Sequence, residues 1–258
     1  MIKVLELFSG TGSVGKCCKE LGWDVVSVDL ELPADHKVDI MDFDYKQYPK
    51  DNFDIIWASP PCTDYSKLQD GFLNRKRKGV IYTKEVQEEE MKEADKLVLK
   101  SLEIIDYFKP ELWCMENPQT GRMKDREIMK DKPFYDVDYC MYSDWGYRKR
   151  TRIWTNKKDF NNLLCDGSGS CGNMVEIPTN GALRHDSGKP LKCKTRKLHK
   201  SNCGKTEALQ KIRRLHKNNC GNTEKLQAVR KYNGYGIGTS LLDRYRIPPD
   251  LIYSLFLD

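Results

Sequence analysis

At 258 residues, with 39% hydrophobic and 32% charged residues, the chain can bury one full core plus a small appendage. No run approaches the ~20 apolar residues that cross a bilayer, and the chain opens directly on the strand-like Ile2-Lys3-Val4-Leu5-Glu6-Leu7, so a cytoplasmic protein with no membrane partner is expected. Ten cysteines in such a chain are expected to stay reduced. The net charge of +6 is uneven: between Arg184 and Lys231, 15 Lys and Arg face 3 Asp and Glu, a local +12 that leaves −6 for the remainder. A basic segment on an otherwise acidic protein is the electrostatic footprint of a polyanion partner.

In chain order, Lys3–Leu7 alternates like a strand and runs into Phe8-Ser9-Gly10-Thr11-Gly12-Ser13. Val14–Leu21 follows with helical spacing and a Gly22 stop. Trp23–Asp29 reads as a second strand ending on an acid. This is the order of a nucleotide-binding βαβ unit, where glycines let the backbone approach a cofactor and the acid accepts ribose hydroxyls. The turn lacks the three-glycine phosphate fingerprint, which favours a nucleoside without phosphate, S-adenosylmethionine. His36–Ile40 offers a further short strand and the acid Asp39.

Phe53–Ala58 is an apolar run that stops at Pro60-Pro61-Cys62. Proline neither donates to a ladder nor continues it, so a buried parallel strand delivers a thiol to the sheet edge where ligands collect. Residues 63–83 are polar and carry Arg75-Lys76-Arg77-Lys78. A stretch of that length beside a thiol predicts a mobile, phosphate-touching lid. Glu85–Phe108 repeats as a helix closed by Lys109-Pro110, and Leu112–Met115 is a strand ending in Glu116-Asn117-Pro118. Tyr135–Tyr142 alternates weakly, and Arg148–Thr155 reads as a basic-edged strand.

The α/β pattern stops near Asn156. Within the irregular region beyond it, Leu198–Glu207 recurs as Leu215–Glu224 with a 17-residue offset, and 11 of 17 aligned positions are identical. Two copies are too few for a solenoid and read as a local duplication. The expected organisation is a catalytic domain over 1–155, a target-recognition region over 156–240, and a C-terminal segment over 241–258 whose helix, Leu251–Leu257, packs back on the first domain. Two sets offer four zinc-ligand side chains: Cys165, Cys171, His185 and Cys193, or His199 and Cys203 with His216 and Cys220. Neither contains a close Cys-x-x-Cys pair, so free thiols and no metal are expected.

The ordered series Phe8-Ser9-Gly10-Thr11-Gly12, Asp29, Asp39, Pro60-Pro61-Cys62, Glu116-Asn117-Pro118, Arg150-x-Arg152 and Ile247-Pro248-Pro249 resembles the cytosine-5 DNA methyltransferase family. The match is to a small, divergent member of the kind found among phage and viral sequences. The resemblance implies an α/β fold with a doubly wound, mostly parallel sheet, Rossmann-like. It implies Cys62 as nucleophile toward cytosine carbon 6, Glu116 at N3, and Arg150 and Arg152 supporting the charge and the base oxygen, with Asn117 as a strut. S-Adenosylmethionine, leaving as S-adenosyl-L-homocysteine, would be held by Phe8, Ser9, Gly10, Thr11 and Gly12, by Asp29 and Leu30 at the ribose, by Asp39 and Ile40 at the adenine, and by Pro61 and Leu97. The implied partner is duplex DNA with an extruded base, bound by a monomer; RNA and a non-catalytic nucleic-acid-binding protein are the alternatives. Thr63 and Arg148 stand where the family carries glutamines, Arg244-Tyr245 replaces its Gly-Asn, and its penultimate motif is missing.

Overall fold

The structure, a computed structural model, describes residues 1–77, 79–144, 148–177, 180–185 and 246–257. One compact unit comprises Met1–Asp186 and Ile247–Asp258. The chain beyond residue 155, where a target-recognition region is expected to begin, continues with buried residues of this unit. Phe160 and Cys165 are both in the core, and Phe160 stacks edge-on against Tyr135. The duplicated 17-residue element lies outside the described residues.

Strands β1 (Lys3–Leu7), β2 (Asp24–Asp29), β3 (His36–Lys37), β4 (Ile55–Ala58), β7 (Leu112–Pro118), β8 (Phe134–Asp138) and β9 (Arg150–Thr155) form one seven-stranded sheet in the order β3-β2-β1-β4-β7-β9-β8. The ladders β1–β2, β1–β4, β2–β3 and β4–β7 are parallel, and β9 runs antiparallel to both its neighbours. Two short ribbons, β5 (Lys76–Arg77) with β6 (Val80–Ile81) and β10 (Met174–Glu176) with β11 (Leu183–His185), stand apart from it. The order reverses between β1 and β4, so the carboxyl ends of those two strands frame the crevice expected to bind ligand.

All four residues of β4 are buried, as a strand covered on both faces must be. Alternate side chains enter two cores. Leu5, Leu7, Ile56 and Met115 pack with the long helix α2 (Lys84–Phe108), whose inward positions include Met91, Ala94, Val98 and Ile105. Val4, Trp57, Cys114 and Ile153 pack on the other face with α1 (Ser13–Glu20) and α3 (Pro249–Leu257). Helix α2 starts on a Thr83 cap that accepts from Val86 N–H at 3.3 Å, and ends at Lys109 in the left-handed region, just before Pro110. No helix among the described residues is long and apolar enough to cross a membrane.

The C-terminal helix packs against α1 and one face of the sheet. Leu251, Ile252 and Leu255 are fully buried, Phe256 stacks on Trp23 at 5.9 Å, and Tyr253 donates to Glu20 at 3.0 Å. Leu255→Ala should leave a cavity between α3 and the sheet and cost about 2–4 kcal/mol, read as a lower urea midpoint; a loss below about 0.5 kcal/mol would mean that α3 is not docked there.

Candidate active site

Beyond Ala58 the chain turns through Pro60 and Pro61 and presents Cys62, half-buried, past the end of β4. The neighbouring strand end fixes this corner: Asn117 Nδ2 donates to the Pro60 carbonyl at 2.9 Å. The strut role expected of Asn117 thus has a bond to carry it. Tyr65, fully buried, donates to Asp95 at 2.9 Å, and Arg126 forks onto Asp95 and reaches Glu88 at 2.8 Å. The Tyr65 carbonyl accepts Arg122 N–H at 2.8 Å, so the segment after the thiol is held from both sides.

Glu116 is buried on β7, where Lys149 Nζ donates to its Oε1 at 3.1 Å and Tyr139 Oη lies 3.4 Å from the same oxygen. The ammonium also sits 4.8 Å from the Tyr139 ring centroid. Burial pushes the Cys62 thiol up from its ordinary pKa; the Lys149 ammonium pulls it down, and the Glu116 and Asp64 carboxylates add to the rise. Lys149 is the cation that favours the thiolate.

The two arginines expected here lie elsewhere. Glu116 pairs with Ile153 across the β7–β9 ladder and Asn117 with Arg152. Paired residues share a face and neighbours along a strand alternate, so Arg150 and Arg152 face away from Glu116, while the residue one step before β9, Lys149, reaches it. Arg152 instead bonds Asp136 at 2.7 and 2.8 Å and lies 3.5 Å from the Phe134 ring centroid, and Arg150 is exposed. The signal that would have found Lys149 was this alternation, which needs a register the sequence alone does not supply.

Across the crevice, the turn after β1 takes a shape that few sequences allow. Phe8, Gly10 and Gly12 all have positive φ (57°, 54° and 69°), uncommon at a phenylalanine and easy at glycine. Gly10 N–H donates to Asp29 Oδ2 at 2.8 Å, while Asp29 Oδ1 accepts from Glu31 and Leu32 N–H at 2.9 and 2.7 Å. Asp29 therefore ties the end of β2 to the glycine turn. Asp39 accepts Met41 N–H at 2.9 Å, Ile40 is buried, Leu97 is half-buried on α2, and Leu30 is exposed. Ser9 is buried, with its N–H on the Val28 carbonyl, and Thr11 and Pro61 are half-buried.

Glu6 was not singled out from the sequence, although an acid inside an apolar strand was the available signal. Its carboxylate lies beneath the same turn and accepts Val14 N–H at 3.2 Å and Gly15 N–H at 3.1 Å from the first turn of α1. Burial raises its pKa from 4.5 to about 7 against the pull of those two bonds.

The stretch 63–83, expected to be a mobile, phosphate-touching lid, carries local structure among its described residues. It folds into a short 3₁₀ helix, Lys67–Phe72, and the β5–β6 ribbon. Arg77 bonds Gln69 and Glu90, each at 3.0 Å, with its guanidinium 5.1 Å from the Phe72 ring and 4.9 Å from that of Tyr82. Arg122 clamps Asp70 at 2.6 Å. The basic cluster thus divides: Arg77 serves the loop's own packing, while Arg75 and Lys76 are exposed.

With a glycine turn and a thiol at the β1–β4 switch point and a carboxylate on the neighbouring strand end, on a mostly parallel sheet, the fold is Rossmann-like. The model of the C-5 cytosine-specific DNA methylase family matches residues 30–233, and the chain belongs to that family. The matched span contains Cys62, Glu116 and Lys149 and begins after the glycine turn. Over 204 residues the chain is 43% identical to the "Probable DNA (cytosine-5)-methyltransferase" of Frog virus 3 (isolate Goorha), covering 76% of this chain and 92% of that one. Among solved structures it is similar to one described as a DNA modification methyltransferase encoded within a prophage (E. coli), with 15% identity, TM-score 0.44, and 64% of this chain and 52% of that one covered. It is also similar to the S. pombe Dnmt2 methyltransferase, with 14% identity, TM-score 0.39, and coverage of 63% and 51%. The chain spans about half the length of these two structures.

The raised pKa of Glu6 makes stability depend on pH. A carboxyl that binds its proton more tightly when folded contributes stability that is fully present below 4.5 and lost as pH rises through about 7. Between pH 5 and pH 8 the parent should lose about 2 kcal/mol relative to Glu6→Gln, measured by urea denaturation of both; parallel pH profiles would contradict the assignment.

Proposed function

We propose that the chain transfers a methyl group from S-adenosylmethionine to carbon 5 of a cytosine extruded from duplex DNA. The observation that carries this reading is the thiol of Cys62 at the β4 edge, under the charge of Lys149 and beside the buried Glu116. Carbon 5 of cytosine is a poor nucleophile, and addition of a thiolate to carbon 6 makes it an enamine carbon able to attack an electrophilic methyl. Cys62 forms the bond to carbon 6. Glu116 faces the N3 edge and delivers the proton that relieves charge developing on the ring. Lys149 holds the thiolate and orients the Glu116 carboxyl through its 3.1 Å bond. Water takes the carbon 5 proton, N3 returns its proton to Glu116, and expulsion of the Cys62 sulfur as thiolate restores the aromatic ring and frees the enzyme.

S-Adenosylmethionine supplies the electrophilic methyl. The residues fit its nucleoside: Gly10 and Gly12 offer no Cβ at the turn, Phe8 lies beside it, and Asp29 and Asp39 stand at neighbouring strand ends. The target carbon is inaccessible inside a duplex, which requires extrusion of the base. The basic span Arg184–Lys231 supplies phosphate contacts for the distorted strand. Arg150 and Arg152, on the opposite face of β9 from Glu116, are not assigned to the reacting ring.

Incubation with methyl-labelled S-adenosylmethionine and either duplex DNA or tRNA tests the reading. The parent should label DNA, and Cys62→Ala should lose at least about a thousandfold in rate. Label confined to tRNA would replace the DNA assignment with an RNA one, and tight DNA binding without label would make the protein a non-catalytic binder. Lys149→Met should shift the alkaline rise of the rate to higher pH, because removing a cation raises a neighbouring thiol pKa; an unmoved profile would remove Lys149 from the mechanism.

A further inference from the structure

Outside this site, three thiols and an imidazole converge. The sulfurs of Cys140, Cys165 and Cys171 and a ring nitrogen of His185 all lie within 4.8 Å of one another. His185 Nε2 is 3.4 Å from Cys165 Sγ and 3.5 Å from Cys171 Sγ. A tetrahedral zinc with Zn–S of about 2.3 Å and Zn–N of about 2.0–2.1 Å sets sulfur–nitrogen edges of about 3.6 Å. The two imidazole–sulfur distances match those edges, and the three sulfurs lie close enough to close on one ion. Of the zinc-ligand set that the sequence offered, Cys165, Cys171 and His185 come together, but Cys140 joins them from the helical turn Tyr139–Met141; Cys193 lies outside the described residues.

We infer that Cys140, Cys165, Cys171 and His185 bind one structural zinc ion. Two ligands, Cys140 and Cys165, are buried and the other two half-buried, as in a closed structural site with no position left for substrate. The backbone around them is fastened by three polar side chains, Asn173, Asp138 and Arg148. Asn173 Nδ2 lies 2.8 Å from the Cys140 carbonyl, 2.7 Å from that of Ser143 and 3.0 Å from that of Cys171. Asp138 Oδ2 accepts Cys165 N–H at 2.9 Å, and Arg148 Nη2 donates to the same oxygen at 2.7 Å and to the Cys165 carbonyl at 2.6 Å. Between the second and third cysteines the chain turns through Gly167 and Gly169 at φ of 82° and 101°, and Gly172, just past the third, has φ 69°. Outer partners that hold ligands in place are what a metal site requires.

The metal explains two features that methyl transfer leaves unused. Arg148, where the family carries glutamine, positions the Cys165 loop. The β10–β11 ribbon, with Met174 paired to His185, is too small to be stable alone and is pinned by its last residue. The site also abuts the chemistry, since Tyr139, which reaches Glu116, precedes Cys140 and donates its N–H to the Lys149 carbonyl at 3.1 Å.

The test is the zinc content of the full chain, purified reduced and without chelator, read by elemental mass spectrometry independently of methylation. The parent should carry one equivalent more zinc than Cys171→Ser or His185→Ala, and Cys171→His, which restores a ligand, should regain it. Cobalt-substituted parent should show thiolate charge-transfer and tetrahedral ligand-field absorption, altered in Cys171→His, a measurement that does not need the serine variant to fold. Equal zinc in parent and Cys171→Ser, a disulfide among the three cysteines in place of metal, or a cobalt spectrum that Cys171→His leaves unchanged would overturn the assignment.

Discussion

Burial opposes the ionisation of Cys62, and the ammonium of Lys149 is the largest influence against that effect of burial. That one cation is shared: it also bonds the buried Glu116 carboxylate and lies against the Tyr139 ring. Thiol, carboxylate and amine form one electrostatic unit in which removing any member changes the other two. A buried carboxylate stripped of its cation is strongly unfavourable, so the pair is evidence of a specified arrangement more than of added stability. The arrangement depends in turn on β9 running antiparallel to β7, because that register turns Lys149 toward Glu116 and Arg152 toward Asp136.

The thiol is placed by backbone constraints from both sides. Two prolines end β4, and the Asn117 amide holds Pro60 from the next strand. The thiol-bearing loop is then anchored through Tyr65 and Arg126 to acids on α2, the helix that covers one face of the sheet. Rigid elements thus set the reactive group, which suits a reaction in which a few tenths of an ångström separate productive from idle geometry. On the other side of the switch point, Glu6 supports the glycine turn from beneath by accepting the first free N–H groups of α1.

Much of this was legible in the sequence because it is local. The β1 turn, the proline stop before Cys62, the Glu116-Asn117-Pro118 strand end, the α2 periodicity and the returning C-terminal helix each follow from a few adjacent residues. What was not legible depends on contacts between distant segments. The resemblance pointed to Arg150 and Arg152, and only the β7–β9 register shows that Lys149 shares the Glu116 face. The packing of residues 63–83 rests on Glu90 and Arg122, which lie beyond the loop and leave no local signal in it. Cys140 gave no sign of joining Cys165, Cys171 and His185, since its nearest partner among them is 25 residues away. Phe160 and Cys165 likewise follow the apparent end of the pattern and are nonetheless buried.

The most direct measurement of the central claim is incubation of the protein with S-adenosylmethionine and duplex DNA carrying 5-fluorocytosine at the methylated position, followed by denaturation and mass spectrometry of the proteolysed adduct. Fluorine cannot leave as the carbon 5 proton does, so the account predicts a stable covalent complex, with the methylated base attached to the peptide that contains Cys62. An enzyme that methylates normal DNA yet yields no adduct, or an adduct on another residue, would contradict it.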